Sequence, residues 1–212
     1  MKKIAIILNG ARPKGRALFA VKSLKYDMVI AADGGWDFCA ENDIIADYVI
    51  GDFDSARIRH ASDKTKIIEF PKDKNATDGE LACDFAISQG AGVVDIYGGG
   101  GRRIDHLLGN LNLLLRLTKA GVSARMINNG SIVYLTSGSL DLGKMGRATL
   151  SLIPLGGEAT VDITGVKYPL KDKVLKTDNT LGISNEARGE VSIRVSDGYA
   201  LVIVNSLRHI SF

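Results

Sequence analysis

Proline and cysteine are scarce in this 212-residue chain, and its net charge is small. Four prolines exclude a proline-rich linker. The 24 glycines follow no collagen period, so they point to tight turns or to backbone that comes close to a ligand. Two cysteines, Cys39 and Cys83, exclude a disulfide framework. They form no CxxC and no zinc spacing with His60, His106 or His209, so each is expected as a buried free thiol. Lys and Arg number 27 against 24 Asp and Glu, a net charge of +3, with a pI of about 8.8 and no run of like charge. A nucleic-acid footprint is therefore not supported, whereas a small anionic ligand fits. Long apolar runs are missing too. Ile4–Leu8 ends after five residues at Asn9, too short for the core of a signal peptide, and no stretch can span a bilayer. A cytoplasmic location, with no membrane partner, is the expectation.

What is present is ordinary globular material: 45% hydrophobic residues and a mean hydropathy of +0.07. The length suits one large domain or two small ones. In the first half, short apolar runs at Ile4–Leu8, Met28–Ala32, Tyr48–Ile50, Ile67–Phe70, Val93–Tyr97 and Arg125–Ile127 read as strands, several of them buried on both faces. Helical patterns lie between. Residues 77–89 open with a Thr77/Glu80 capping box, place Leu81 and Phe85 on one face and stop at Gly90. Residues 105–120 carry a core stripe of Leu107, Leu108, Leu111, Leu114 and Leu115 and end at Gly121. Such alternation predicts an α/β domain with a mostly parallel sheet. Beyond about Asn128 only β-rich runs follow, at 131–135, 148–153, 159–163, 190–195 and 200–204, separated by turn signals. The expected division is an α/β domain over 1–128 and an all-β sandwich over 129–212.

Candidate chemistry sits at four consecutive strand ends. Asp33-Gly34-Gly35 is either a tight strand-to-helix turn or a place where backbone approaches a phosphate or ribose. Gly51-Asp52-Phe53-Asp54-Ser55 presents paired carboxylates suited to Mg²⁺, or else a helix cap. Thr77-Asp78 opens a helix, where an acid is favourable on dipole grounds alone. Gly98-Gly99-Gly100-Gly101-Arg102-Arg103-Ile104-Asp105-His106 sets free backbone N–H groups and two guanidinium groups before a leucine-rich helix, the layout of a phosphate cradle, or else a flexible loop with Asp105 as helix cap; no Walker A sequence follows. Asp52, Asp54, Asp78, Asp105, Arg102 and Arg103 can thus converge on one metal-polyphosphate.

The ordered set of these segments resembles the thiamin pyrophosphokinase family: D-G-G, G-D-[FL]-D-S, a T-D opening a helix and a glycine-rich G-G-R-x-D-H. Two later segments agree, Leu181-Gly182-Ile183-Ser184-Asn185-Glu186 with the family's G-x-S-N-E and Val166-Lys167-Tyr168-Pro169-Leu170 with its K-[YW]-x-L. The family has Gly-Gly-Arg where this chain has Gly101-Arg102-Arg103, so alignment on Asp105-His106 makes Arg103 the family arginine and puts Arg102 at a glycine position.

The resemblance implies transfer of pyrophosphate from ATP to the hydroxyethyl oxygen of thiamin, with release of AMP. It implies a six-stranded parallel sheet, a C-terminal sandwich, and a homodimer whose active site is shared between subunits. Asp52, Asp54 and Asp78 are then assigned to Mg²⁺, with Asp105 as a further ligand or a group behind it. Arg103 would hold polyphosphate, and Asp33, Gly34, Gly99, Gly100, Gly101 and Arg102 the nucleotide. Tyr168, Ser184 and Asn185 would hold thiamin. Either Asp54 or Asp78 would accept the alcohol proton, and His106 would be an orienting or core residue. The competing classes are a thiamin or nucleotide sensor without turnover and a Mg²⁺-dependent phosphohydrolase on the same scaffold.

Overall fold

The computed structural model describes residues 1–52, 64–73, 75–101 and 103–207. The chain divides into two units, Met1–Asn129 and a second that begins at Gly130.

In the first unit, strands β1 (Lys2–Ile7), β2 (Met28–Ala32), β3 (Tyr48–Gly51), β4 (Lys66–Glu69), β5 (Ala91–Tyr97) and β6 (Ser123–Ile127) form a sheet. Its order is β6-β5-β1-β2-β3-β4, and all five pairings are parallel. Ile4, Ile6, Ile7, Ile30, Ile50 and Ile96 are fully buried, as consecutive apolar residues must be when both faces of a strand are covered. Helices α1 (Gly15–Ser23), α2 (Gly35–Glu41), α3 (Asp78–Ser88) and α4 (Ile104–Lys119) connect the strands. The sheet grows outward from β1 through β2, β3 and β4, then β5 returns to the other side of β1. The carboxyl ends of β1 and β5 therefore flank the switch point where open α/β sheets bind ligands.

Helix α3 is capped as its sequence signals: Thr77 Oγ1 accepts from the Glu80 N–H at 3.2 Å. The reciprocal half of the box is replaced, because Glu80 pairs with Arg116 at 3.0 Å. Two helix faces differ from expectation. The buried face of α3 is Gly79, Ala82, Cys83 and Ala86, small residues that let the helix lie close to its neighbours, and Leu81 and Phe85 are only half-buried. On α4 the buried leucines are Leu113, Leu114 and Leu117, whereas Leu108 is 57% exposed. Leucines occupy more than one side of this helix, so periodicity alone does not select the inward one.

Among the described residues, the second unit contains strands and no helix: β7 (Ile132–Thr136), β8 (Ser139–Lys144), β9 (Thr149–Pro154), β10 (Ala159–Val166), β11 (Leu170–Leu175), β12 (Asn185–Asp197) and β13 (Ala200–Asn205). Every pairing among them is antiparallel. Strand β13 lies between β7 and β9. The start of β12, at Asn185 and Glu186, pairs with β9, and its later residues pair with β10 and β8. One long strand thus serves both groups, whose inner residues share a core including Leu150, Val161, Ile163, Ile193 and Val202. Strands β8 and β11 were not among the expected runs: their burial is partial, and Lys171, Asp172 and Lys173 leave β11 little apolar signal.

Candidate active site

A cleft of about 1470 Å³ opens in the first unit, lined by Gly10, Asp33, Asp52, Asp78, Gly100, Gly101, Arg103 and Asp105 among others. Each polar side chain sits where a strand or its following loop ends, so the parallel sheet itself brings together segments far apart in sequence. Asp33 follows β2, is buried, and holds a left-handed backbone at φ 45°. Its N–H donates to the Ile50 carbonyl at 2.9 Å and its own carbonyl accepts from the Trp36 N–H at 3.0 Å. Asp52 follows β3, and Asp78 stands in the first turn of α3. Asp54 and Arg102, both expected at the site, lie outside the described residues.

Close packing accounts for glycines read as ligand-approach signals. A Cβ on Gly35 would stand 2.1 Å from the Ile7 carbonyl oxygen, so this glycine lets α2 begin directly against β1. At the switch point Gly98, at φ +70°, would set a Cβ 2.3 Å from the Leu8 carbonyl oxygen. The loop after β5 is thereby pressed onto the end of β1. The Ala11 N–H donates to the Gly100 carbonyl at 2.5 Å, and Asn110 of α4 donates to the Gly99 carbonyl at 2.8 Å. The glycine-rich segment is a braced wall of the cleft.

Arg103 and Asp105 face each other. Arg103 Nε donates to Asp105 Oδ1 at 3.2 Å, and Nη2 donates to Oδ2. The Arg103 hydrogen bond holds the Asp105 carboxyl down at about 2, well below the usual carboxylate range. The Asp105 hydrogen bond raises Arg103 in turn. His106 is exposed on the cleft, not in the core. Among the described residues, no three His, Cys, Asp or Glu side chains come together as a metal-holding group.

Three cations of the cleft, Arg12, Lys14 and Arg116, were not singled out from sequence. Arg12 and Lys14 line it from the loop after β1. Asn129 fixes this loop at both ends, accepting from the Lys14 N–H at 2.7 Å and donating to the Arg12 carbonyl at 3.0 Å. Arg12 also pairs with Glu41. The only sequence signal was position, a loop leaving the first strand. Arg116 ties α4 to α3 through Asp84, with contacts of 2.5 and 2.7 Å, and so fixes the helix that carries Asp78 against the one that carries Asp105.

The second unit has its own smaller pocket, about 200 Å³, lined by Leu150, Leu152, Ile163, Tyr168, Leu181 and Asn185 among others. It is below the roughly 300–1,000 Å³ of pockets that enclose a whole drug-sized ligand, and suits a single ring. Tyr168 is 58% exposed. The Asn185 side chain clamps the Tyr168 backbone, accepting from its N–H at 3.0 Å and donating to its carbonyl at 2.7 Å. Ser184 is exposed, at φ 60°, and its N–H donates to Ser151 Oγ at 3.1 Å.

Residues 22–126 match the model for the catalytic domain of thiamin pyrophosphokinase, and residues 140–200 match that for its vitamin B1 binding domain. The thiamine pyrophosphokinase of Bacillus subtilis (strain 168) is 31% identical over 195 residues, covering 88% of this chain and 90% of that one. A crystal structure of the Bacillus subtilis thiamine pyrophosphokinase superposes with a TM-score of 0.85 at 27% identity, over 97% of this chain and 100% of that one. The thiamin pyrophosphokinase structure from Geobacillus thermodenitrificans gives 0.81 at 25% identity, over 97% and 98%.

Proposed function

The chain belongs to the thiamin pyrophosphokinase family, and from that premise we propose that its first unit carries the transfer and its second unit holds thiamin. The enzyme transfers pyrophosphate from ATP to thiamin, giving thiamin diphosphate and AMP. In this reaction the thiamin hydroxyl oxygen bonds to the β-phosphorus of ATP, the bond from that phosphorus to the α-phosphate oxygen breaks, and AMP leaves with the electron pair. The single observation that carries the assignment of residues is the gathering of Asp33, Asp52, Asp78 and Arg103 around one cleft at the sheet's switch point.

Little covalent work falls to the protein in such a transfer; positioning and charge stabilisation dominate. Arg103 binds polyphosphate oxygens through its planar fork. Asp33, Gly34 and the Gly99–Gly101 segment, with Arg102, receive the nucleotide. Asp78 or Asp54 takes the proton leaving the hydroxyl. Mg²⁺ suits the donor set, since hard carboxylate oxygens of Asp52 and Asp78 line one cleft and Mg²⁺ takes about one or two carboxylates together with substrate phosphates. Asp54 completes that set, with Asp105 behind it. When bound, the ion supplies positive charge to the phosphate oxygens. Tyr168, with Ser184 and Asn185, receives a ring of thiamin. The working form in this reading is a cytoplasmic homodimer with a shared active site. No helix among the described residues is long and apolar enough to cross a membrane.

Incubation with ATP, Mg²⁺ and thiamin, with AMP and ADP separated, tests the assignment. Thiamin-dependent AMP is expected. Thiamin-independent phosphate release would favour a phosphohydrolase, and binding without turnover a sensor.

A further inference from the structure

Two charged residues inside the later motifs have no part in the reaction described above. Lys167 precedes Tyr168, and Glu186 follows Asn185. Lys167 Nζ stands 5.1 Å from the centre of the Tyr168 ring and 3.5 Å from Glu186 Oε1. Glu186 also takes a contact from Arg188 Nη2 at 3.3 Å on its other oxygen. One carboxylate therefore serves two cations, and one of them, Lys167, lies over the aromatic ring that lines the small pocket. The backbone holds this cluster in place. The Lys167 N–H donates to the Glu186 carbonyl at 2.8 Å, and the Asn185 side chain bonds both the Tyr168 backbone and the Glu186 N–H, the latter at 3.0 Å. The ion pair issues from two segments already fixed side by side.

We propose that Glu186 determines the pocket's acceptance of a cationic ring, by neutralising Lys167 next to Tyr168. This rests on the reading of Tyr168 as the surface that receives thiamin. An aromatic face attracts a cation, and Lys167 already supplies one from the protein itself. A thiazolium brought to the same ring meets that like charge. With Glu186 ionised, Lys167 is offset by an anion; without it the Lys167 charge acts uncompensated on the incoming ring. The effect is electrostatic and in partly exposed surroundings, so salt must weaken it. Lys167 and Glu186 are thus specificity-determining residues for charge, distinct from the aromatic contact.

The test is a set of variants assayed for thiamin and ATP, with inhibition by a neutral thiamin analogue carrying a thiophene in place of the thiazolium. Glu186→Gln is expected to raise the KM for thiamin about five-fold or more at low salt, to lose much of that effect at high salt, and to leave the KM for ATP and the inhibition by the neutral analogue unchanged. Adding Lys167→Met should restore much of the thiamin affinity. An unchanged KM for thiamin in Glu186→Gln, an equal loss for thiamin and the neutral analogue, or no recovery in the double variant would overturn the proposal. Tyr168→Ala separates the two levels: an unchanged KM for thiamin there would remove the aromatic platform itself, whereas a raised KM beside a silent Glu186→Gln would remove only the charge inference.

Discussion

Arg103 and Asp105 are bound to one another at the mouth of the cleft, through two donors of one guanidinium and both oxygens of one carboxylate. A carboxylate that orients an arginine through paired hydrogen bonds sets the direction of the fork before a phosphate arrives. Asp105 accordingly fits the role of a group behind the arginine better than that of a direct metal ligand.

Arg103→Lys is expected to cut kcat/KM for ATP by about 10- to 100-fold, since a point charge does not replace a bidentate fork. Asp105→Asn should act more mildly, raising the KM for ATP and leaving the Mg²⁺ concentration for half-maximal rate nearly unchanged. Steady-state kinetics across a Mg²⁺ titration checks both. A large shift in the Mg²⁺ requirement of Asp105→Asn would make Asp105 a ligand.

Asp78→Asn should fold normally and lose turnover by several orders of magnitude, and Asp52→Asn likewise. Because such groups act as a unit, the double variant should be scarcely worse than either single one. Circular dichroism with single-turnover assays distinguishes this from a folding defect. Asp54→Asn belongs to the same series.

Much of the fold was legible because its signals are local. Thr77 and Glu80 marked the start of α3, and the continuous apolar run Met28–Ala32 marked β2 with its observed limits. What was not legible depended on distant partners. The side of α4 that faces inward is decided by the elements it packs on, so Leu108 was misassigned and Leu113 and Leu117 were missed. Strand β11 exists because β10 pairs with it, not because its own residues demand it. At the site, the aspartates were visible as motifs at strand ends. Arg12 and Lys14 were not, because Asn129, which fixes their loop, lies more than a hundred positions away.

Cys39 and Cys83 are buried and free, and burial pushes each thiol up to about 12. Neither should react with a thiol reagent at pH 8 until the protein unfolds. The linkage has a definite sign. In the unfolded chain a thiol ionises near about 8.5, so the folded form binds more protons above that value. The stability that these thiols contribute is complete below it and falls as pH rises toward about 12. Denaturant titrations at increasing alkaline pH should show that decline, and replacing both cysteines by alanine should flatten it.

If the working form is a dimer with a shared active site, subunits carrying Asp78→Asn and Tyr168→Ala should complement each other. Mixed and exchanged, the two variants are expected to recover activity that neither has alone. Confirmed exchange without recovery would place the whole site within one chain.

Transfer of two phosphates as one group is read from the fate of labelled phosphorus. With ATP labelled at the β-phosphorus, the label should appear in thiamin diphosphate in step with AMP formation, and with ATP labelled at the α-phosphorus it should remain in AMP. β-Label retained in ADP, or released as pyrophosphate whether or not thiamin is present, would contradict it.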